Sequence, residues 1–289
     1  MGAGRILVTG AAGQLAQAIA ETFRADHDVV ALSRGDLDIT DEAAVAARLD
    51  RERPAVVINC ASDNDVDGAQ THPVRALEIN AFGVRALART VGRLQATLVH
   101  YSSDFVFDGA ANRPYTEDDR PNPQSVYSAS KLLGEWFALE VPRGFVLRVE
   151  SLFGSFSSGR AARSSLDRIV GGIEAGEEVP VFTDRTVSPS YVRDIAWATR
   201  RLLLESAKPG LYHCVNTGAC NWMDVANEAA RLVGKRAILR PITLDSVALR
   251  APRPKYCALN NGRLASLGIV MPTWQDALAR HIHARHAQV

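Results

Sequence analysis

The sequence predicts an α/β fold: a doubly wound parallel sheet with helices on both faces, followed by a smaller C-terminal part. Three observations predict it. Short apolar runs rich in β-branched residues alternate with helical patterns through the first half of the chain. A glycine-rich turn joins the first run to the first helical pattern. The 289 residues, 47% hydrophobic and 22% charged, are enough for a substantial buried core.

The elements follow in order. Ile6, Leu7 and Val8 read as a buried strand and residues 15–24 as a helix. A second strand is expected over 29–32. A helix over 41–49 has acidic residues in its first turn, where they complement the helix dipole. Strand 56–59, one long helix over 73–94, strand 98–101, helix 127–140 and strand 145–148 complete a domain of residues 1–153. After that the rhythm loosens. Residues 155–159 are a Gly/Ser-rich loop, 164–175 a helix ended by Gly176, and 189–205 contain another helix. An apolar run within 211–217 is placed to rejoin the main sheet as a strand, and helix 223–233 is closed by Gly234. Residues 154–289 therefore read as mainly a substrate-binding domain, interleaved with the first and without a flexible linker.

Composition narrows the function classes. Net charge is +1, and the 29 arginines against 4 lysines are scattered, so neither a nucleic-acid nor a membrane-surface partner is expected. Cys60, Cys214, Cys220 and Cys257 fit no zinc spacing and read as reduced thiols. His281, His283 and His286 read as solvated residues near the terminus. The chain runs straight into its first strand without a leader pattern, and no apolar run approaches a membrane span, so the expected location is cytoplasmic.

The turn after the first strand is Thr9-Gly10-Ala11-Ala12-Gly13-Gln14-Leu15-Ala16. Its G-x-x-G-x-x-A spacing is a variant of the dinucleotide fingerprint. The first glycine permits a tight turn, the second lets backbone approach a pyrophosphate, and the small Ala16 packs helix on strand. Amides at the helix N-terminus would face the anion. The fold class is thus Rossmann-like. Ser33-Arg34 ends the second strand, where a basic residue can take the 2′-phosphate of NADPH; Asp36 and Asp38 keep NADH open.

Tyr127 and Lys131 stand four residues apart in a helical pattern and share one face. Carbonyl reduction needs a proton at the oxygen as hydride arrives. A phenol titrates near ~10, and an adjacent ammonium, with an oxidised nicotinamide, would make it a better acid. Ser102-Ser103, after the fourth strand, is at the carboxyl edge of the sheet, where such folds bind ligands; its hydroxyls suit a substrate carbonyl.

These residues resemble a known family. Gly10-x-x-Gly13-Gln14-Leu15, Asp38-Ile39-Thr40-Asp41, Val57-Ile58-Asn59-Cys60-Ala61, Val66-Asp67, the run from Ser102-Ser103-Asp104-Phe105 to Asp108-Gly109, and Tyr127-Ser128-Ala129-Ser130-Lys131 are similar to dTDP-4-dehydrorhamnose reductases, extended short-chain dehydrogenase/reductases. So is the C-terminal run from Gly268 through Trp274 to Leu278. The resemblance spans nearly the whole chain. It implies NAD(P)H-dependent reduction of a keto group on a nucleotide-activated sugar, with Ser103, Tyr127 and Lys131 as the catalytic triad. Gly10, Ala12, Gly13, Gln14 and Leu15 would line the cofactor with Arg34, Asp38 and Ile39. Cys60, Ala61, Ser62, Asn80 and Ser102 would complete that lining beside Tyr127 and Lys131. Asp63, Ser103, Asp104, Phe105, Tyr127, Ser151 and Arg253 would meet the substrate. A homodimer is left open.

Departures cluster on the substrate side. The family's S-T-D-Y is Ser102-Ser103-Asp104-Phe105 here, and its R-T-S-W is Arg148-Val149-Glu150-Ser151, so a substrate-facing Trp becomes Ser151. Residues 61–67 carry Asp63 and Asp65 where the family has an aromatic or His and a variable residue. A Glu through which some members bind metal is Ala18 here, which implies no such metal. Two alternatives stay open on sequence alone: an epimerase or dehydratase sharing the triad, and a non-catalytic cofactor-binding regulatory subunit.

Overall fold

Strand β1 (Ile6–Thr9) is buried at every position, as a strand covered on both faces must be. The computed structural model in which it is seen describes residues 4–154, 164–205 and 207–287. The glycine turn leads into α1 (Gln14–Phe23), then β2 (Val29–Leu32). Helix α2 (Glu42–Glu52) starts where the Asp41 carboxylate accepts from the Ala44 amide. Strand β3 (Val56–Asn59) and the short α3 (Val66–Thr71) follow.

The single helix expected over 73–94 is interrupted. It consists of α4 (Pro73–Leu77), one π turn (Glu78–Phe82) and α5 (Gly83–Arg93). The wide turn presents Asn80, whose amide bonds to groups outside the helix; such turns concentrate at functional sites. Strand β4 (Thr97–Ser103) runs two residues further than expected, so Ser102 and Ser103 end the strand instead of following it. Helix α6 (Val126–Leu139), capped by Ser125, and β5 (Gly144–Val149) complete the first half.

Beyond β5 the chain forms β6 (Leu152–Phe153), α7 (Ser165–Ala175), β7 (Glu178–Phe182), β8 (Thr186–Val187), β9 (Ser190–Tyr191) and α8 (Val192–Leu204). Then come β10 (Gly210–His213), β11 (Cys220–Asn221), α9 (Trp222–Val233), β12 (Ile238–Ile242), α10 (Gly262–Ala265) and α11 (Trp274–His286). Helices α7 and α9 each have a capping box at the start and a left-handed glycine, Gly176 or Gly234, at the end. The loop expected over 155–159 lies outside the described residues.

The main sheet has six parallel strands in the order β10-β5-β4-β3-β1-β2. This is a doubly wound arrangement whose winding reverses between β1 and β3, which opens a crevice at their carboxyl ends. Residues such as Ile19, Phe23, Ile195 and Leu202 from α1 and α8 pack one face. Val45, Leu49, Leu87 and Val91 from α2 and α5 pack the other. A second core gathers Ile169, Trp222, Val225, Trp274 and Ile282 beneath three two-stranded sheets, β7–β12, β6–β9 and β8–β11.

Two expectations about single residues are decided here. The four cysteines are free thiols. His281 is not solvated: it is buried, with Phe153 and Tyr191 ring centroids 5.4 and 5.8 Å away, because α11 packs into the second core up to its last turn. His283 and His286 are exposed. Among the described residues no helix is long and apolar enough to cross a membrane.

Candidate active site

The glycine turn is shaped by a close approach. Gly10 is left-handed (φ 70°), and a Cβ there would lie 2.7 Å from the Ala61 nitrogen and 2.8 Å from the Cys60 carbonyl oxygen. Only glycine satisfies both conditions. Gly13 caps α1 and, being glycine, makes no side-chain hydrogen bond at the positive end of the helix. Gln14 donates to the Leu152 carbonyl at 3.2 Å, while its own Oε1 is buried without a hydrogen-bond partner. Leu15 is buried beneath the turn, and Ala12 lies on its rim. The Thr9 hydroxyl donates to Asn59 Oδ1 at 2.6 Å, and the Ala61 amide donates to the same oxygen. The ends of β1 and β3 are thereby fixed to each other, with half-buried Cys60 between them.

Arg34 stands after β2 as expected, but it is engaged. Its guanidinium pairs with Asp38 at 3.2 Å, and Asp38 also accepts from the Thr40 amide and hydroxyl. Ser33 is tied to Asp36. A 2′-phosphate would therefore compete with Asp38 for Arg34. Ile39 is buried and packs at the position where Gly83 lacks a side chain.

Tyr127 and Lys131 lie on the buried face of α6. Lys131 Nζ donates to the Tyr101 carbonyl at 2.7 Å and to the Ser62 hydroxyl at 3.4 Å. Ser62 donates to Asn80 Oδ1 (2.8 Å), which also accepts from the Asp63 amide. Asn80 Nδ2 donates to the Asp63 carbonyl and the Ser130 hydroxyl, both at 3.0 Å, and Ser130 donates to the Tyr127 carbonyl. One amide side chain thus ties the loop after β3 to α6. Ser103 donates to Asp104 Oδ1 at 2.9 Å and accepts from the Phe105 amide. The Phe105 ring meets the Tyr127 ring edge-on, with centroids 5.8 Å apart.

Burial governs the electrostatics of Tyr127 and Lys131. Burial raises the Tyr127 phenol above its usual range; hydrogen bonding to Ser103 opposes this without cancelling it, and Asp104 and Asp63 add to the rise. Burial also pushes Lys131 down to about 8, with Glu135 opposing. The Lys131 ammonium is directed at the Tyr101 carbonyl, and both groups lose more solvation than they recover. Tyr127 is held protonated, the form that donates.

On the substrate side, buried Asp63 pairs with Arg75 at 3.3 Å. Arg253 pairs with Asp67 at 2.9 Å and donates to the Ala251 carbonyl. Arg253 is near enough to act on the Tyr127 phenol, so the C-terminal part reaches the site. Ser151, between β5 and β6, is left-handed (φ 44°), an uncommon conformation for a residue with a Cβ. The Ser102 hydroxyl is buried without a partner. Sequence reasoning missed Glu150, Arg185 and Cys257, which close around Asp104. Glu150 had a visible signal, an acid directly after a mostly apolar strand run; Arg185 and Cys257 had none.

The RmlD substrate binding domain family model matches residues 4–286. The dTDP-4-dehydrorhamnose reductase of Streptomyces griseus is 37% identical, over 97% of this chain and 93% of that protein. The chain belongs to the dTDP-4-dehydrorhamnose reductase family. Two solved family structures superpose closely. A crystal structure of a reductase from Clostridium acetobutylicum is 32% identical, with a TM-score of 0.91 over 98% of this chain and 99% of that one. The enzyme from Bacillus anthracis in complex with NADP is 30% identical, with a TM-score of 0.91 over 97% and 99%.

Proposed function

We infer that this chain reduces a keto group on a nucleotide-activated sugar with NADPH or NADH, the hydride coming from the nicotinamide and the proton from Tyr127. One observation carries the reading. Buried Tyr127 lies against Ser103 at the carboxyl end of the sheet, one helical turn from a buried Lys131 and on the same side as the glycine turn.

The residues fit a dinucleotide. A Cβ would fill the cradle at Gly10, and Gly13 starts α1 beside it without a side-chain cap. Gly10, Ala12, Gly13, Gln14 and Leu15 would hold the pyrophosphate. Arg34, Asp38 and Ile39 would hold the adenosine end, and Cys60, Ala61, Ser62, Asn80 and Ser102 would flank the nicotinamide half with Lys131. Arg34 favours NADPH. When bound, the reduced nicotinamide supplies the hydride. Ser103 donates a hydrogen bond to the ketone oxygen, and Tyr127, kept neutral by burial, delivers its proton there as negative charge develops. Lys131 would hold the ribose and, together with the oxidised nicotinamide, favour the phenolate left behind. Asp63, Asp104, Phe105, Ser151 and Arg253 shape the sugar pocket, where the small Ser151 leaves room for a bulkier or differently oriented sugar.

The test is oxidation of NADPH, followed by absorbance, with a panel of keto-sugar nucleotides. Tyr127→Phe should abolish turnover while cofactor affinity stays within about twofold; activity above about 10% of wild type would remove Tyr127 as proton donor. Net oxidation separates a reductase from an epimerase, which turns over without consuming NADPH.

A further inference from the structure

A cluster beneath the proposed sugar pocket has no role in the mechanism so far. Asp104, Glu150 and Cys257 are all buried, and a carboxylate oxygen of each acid and the Cys257 sulfur lie within 4.8 Å of one another. Asp104 Oδ1 accepts from Ser103, and Glu150 Oε2 accepts from the Ser188 amide at 2.7 Å. The other two oxygens, Asp104 Oδ2 and Glu150 Oε1, are buried without a hydrogen-bond partner. Arg185 completes the group, with its guanidinium 3.6 Å from the Cys257 sulfur and over the Phe105 ring.

Charge counting decides what this cluster holds. Two enclosed carboxylates face one permanent cation. Arg185 balances one negative charge; a second, desolvated and unpaired, would be costly, so it binds a proton. A divalent metal is opposed by the guanidinium already in place. Resting on the reductase reading of Tyr127, we propose that Asp104 and Glu150 hold one proton between them and return it through Ser103 to Tyr127 after each turnover, with Glu150 acting through Asp104.

The transfer balances. The phenolate takes the Ser103 hydroxyl proton as Ser103 takes one from Asp104; each new O–H bond is matched by one broken, no electrons change hands, and the acid pair regains its proton from solvent through the sugar pocket once the product has left. A carboxylate oxygen of each acid lies within 4.8 Å of the other, a span that one bridging water would cover. The directions agree. Burial pushes Asp104 up to about 6 and Glu150 well above the usual carboxylate range; Asp104 raises Glu150 further and Arg185 opposes both. The other titratable groups facing the pair are Cys257, Cys220, Tyr256 and Tyr127, with Arg253 and Asp63 acting on Tyr127 from beyond. Glu150 stands where the resembled family has Ser, so the device belongs to this chain.

Infrared spectra of the ligand-free protein at pH 7 should show a protonated-carboxyl C=O stretch that disappears in Glu150→Gln. With a keto-sugar substrate, Glu150→Gln should lower kcat about tenfold and enlarge its solvent deuterium effect, with KM within twofold of wild type. A merely structural role would move thermal stability and leave that split and isotope effect unchanged, which would overturn the relay. Absence of the wild-type band also overturns it, and decides the matter if Glu150→Gln fails to fold. The band without any keto-sugar reduction would overturn the relay by removing the reductase reading beneath it; reduction without the band would overturn the relay alone.

Discussion

Lys131 exchanges bulk water for one carbonyl and one hydroxyl, and its titration records the loss. Its folded value of about 8 lies below the ~10.4 of an unfolded lysine. Between these values the unfolded chain binds the proton and the folded chain does not, so the Lys131 contribution to stability rises with pH over that window. The span corresponds to on the order of 3 kcal/mol. Buried cysteines and tyrosines with raised pKa values pull stability down over the same range in both proteins, so denaturant titrations from pH 7 to 10.5 should show wild type losing less stability than Lys131→Met as pH rises; parallel profiles would show that Lys131 contributes no such term. At Arg34 the expected effect is on binding. Replacing a guanidinium that reaches a phosphate removes about 1.5 kcal/mol or more. Arg34→Ala should weaken NADPH by roughly tenfold and NADH by less than threefold, measured by fluorescence titration. Equal losses would leave Arg34 to its Asp38 pair. The triad residues were legible because a helix puts i and i+4 on one face. The partners of Asn80 were not, since all four of its hydrogen bonds leave its own helix, three for the loop after β3 and one for α6.

At the scale of elements, α6 sits against the π turn so closely that a side chain would not fit. A Cβ on Gly134 would lie 2.2 Å from the Asn80 carbonyl oxygen. In a helix glycine ordinarily costs about 1 kcal/mol relative to alanine, so Gly134→Ala would stabilise an isolated α6. Here it should destabilise the protein by roughly 2 kcal/mol or more by forcing the helix off its neighbour, and lower kcat by displacing Tyr127 and Lys131. An unchanged melting temperature would show that α6 has slack. The long parallel strands could be read from apolar runs such as 56–59, buried on both faces. The two-residue strands could not: β6, β8, β9 and β11 are too short for any periodicity, and β7 and β12 each contain a proline.

Over the whole molecule, Arg148 joins parts that are distant in sequence. Its guanidinium makes a two-pronged pair with Glu135 of α6 (2.8 and 2.7 Å), lies 4.9 Å from the Phe107 ring centroid and reaches His213 of β10 at 3.5 Å. Both members of the pair are 2% exposed. Removing one partner of such a pair leaves a buried charge and costs about 3–5 kcal/mol. Glu135→Ala should lower the melting temperature by roughly 10 °C, read by calorimetry; a shift under about 3 °C would show that water reaches Arg148. The strand that receives this contact also arrives late. β10 pairs with β5, yet sixty residues separate them in the chain. While the polypeptide leaves the ribosome, the Phe145-Val146-Leu147 edge has no neighbour until residue 213 has emerged. An unpaired apolar strand of that kind recruits other chains. A nascent or truncated form ending before β10 is therefore the species that chaperones must shield, and the last strand to join the sheet decides when the newly made enzyme ceases to be sticky.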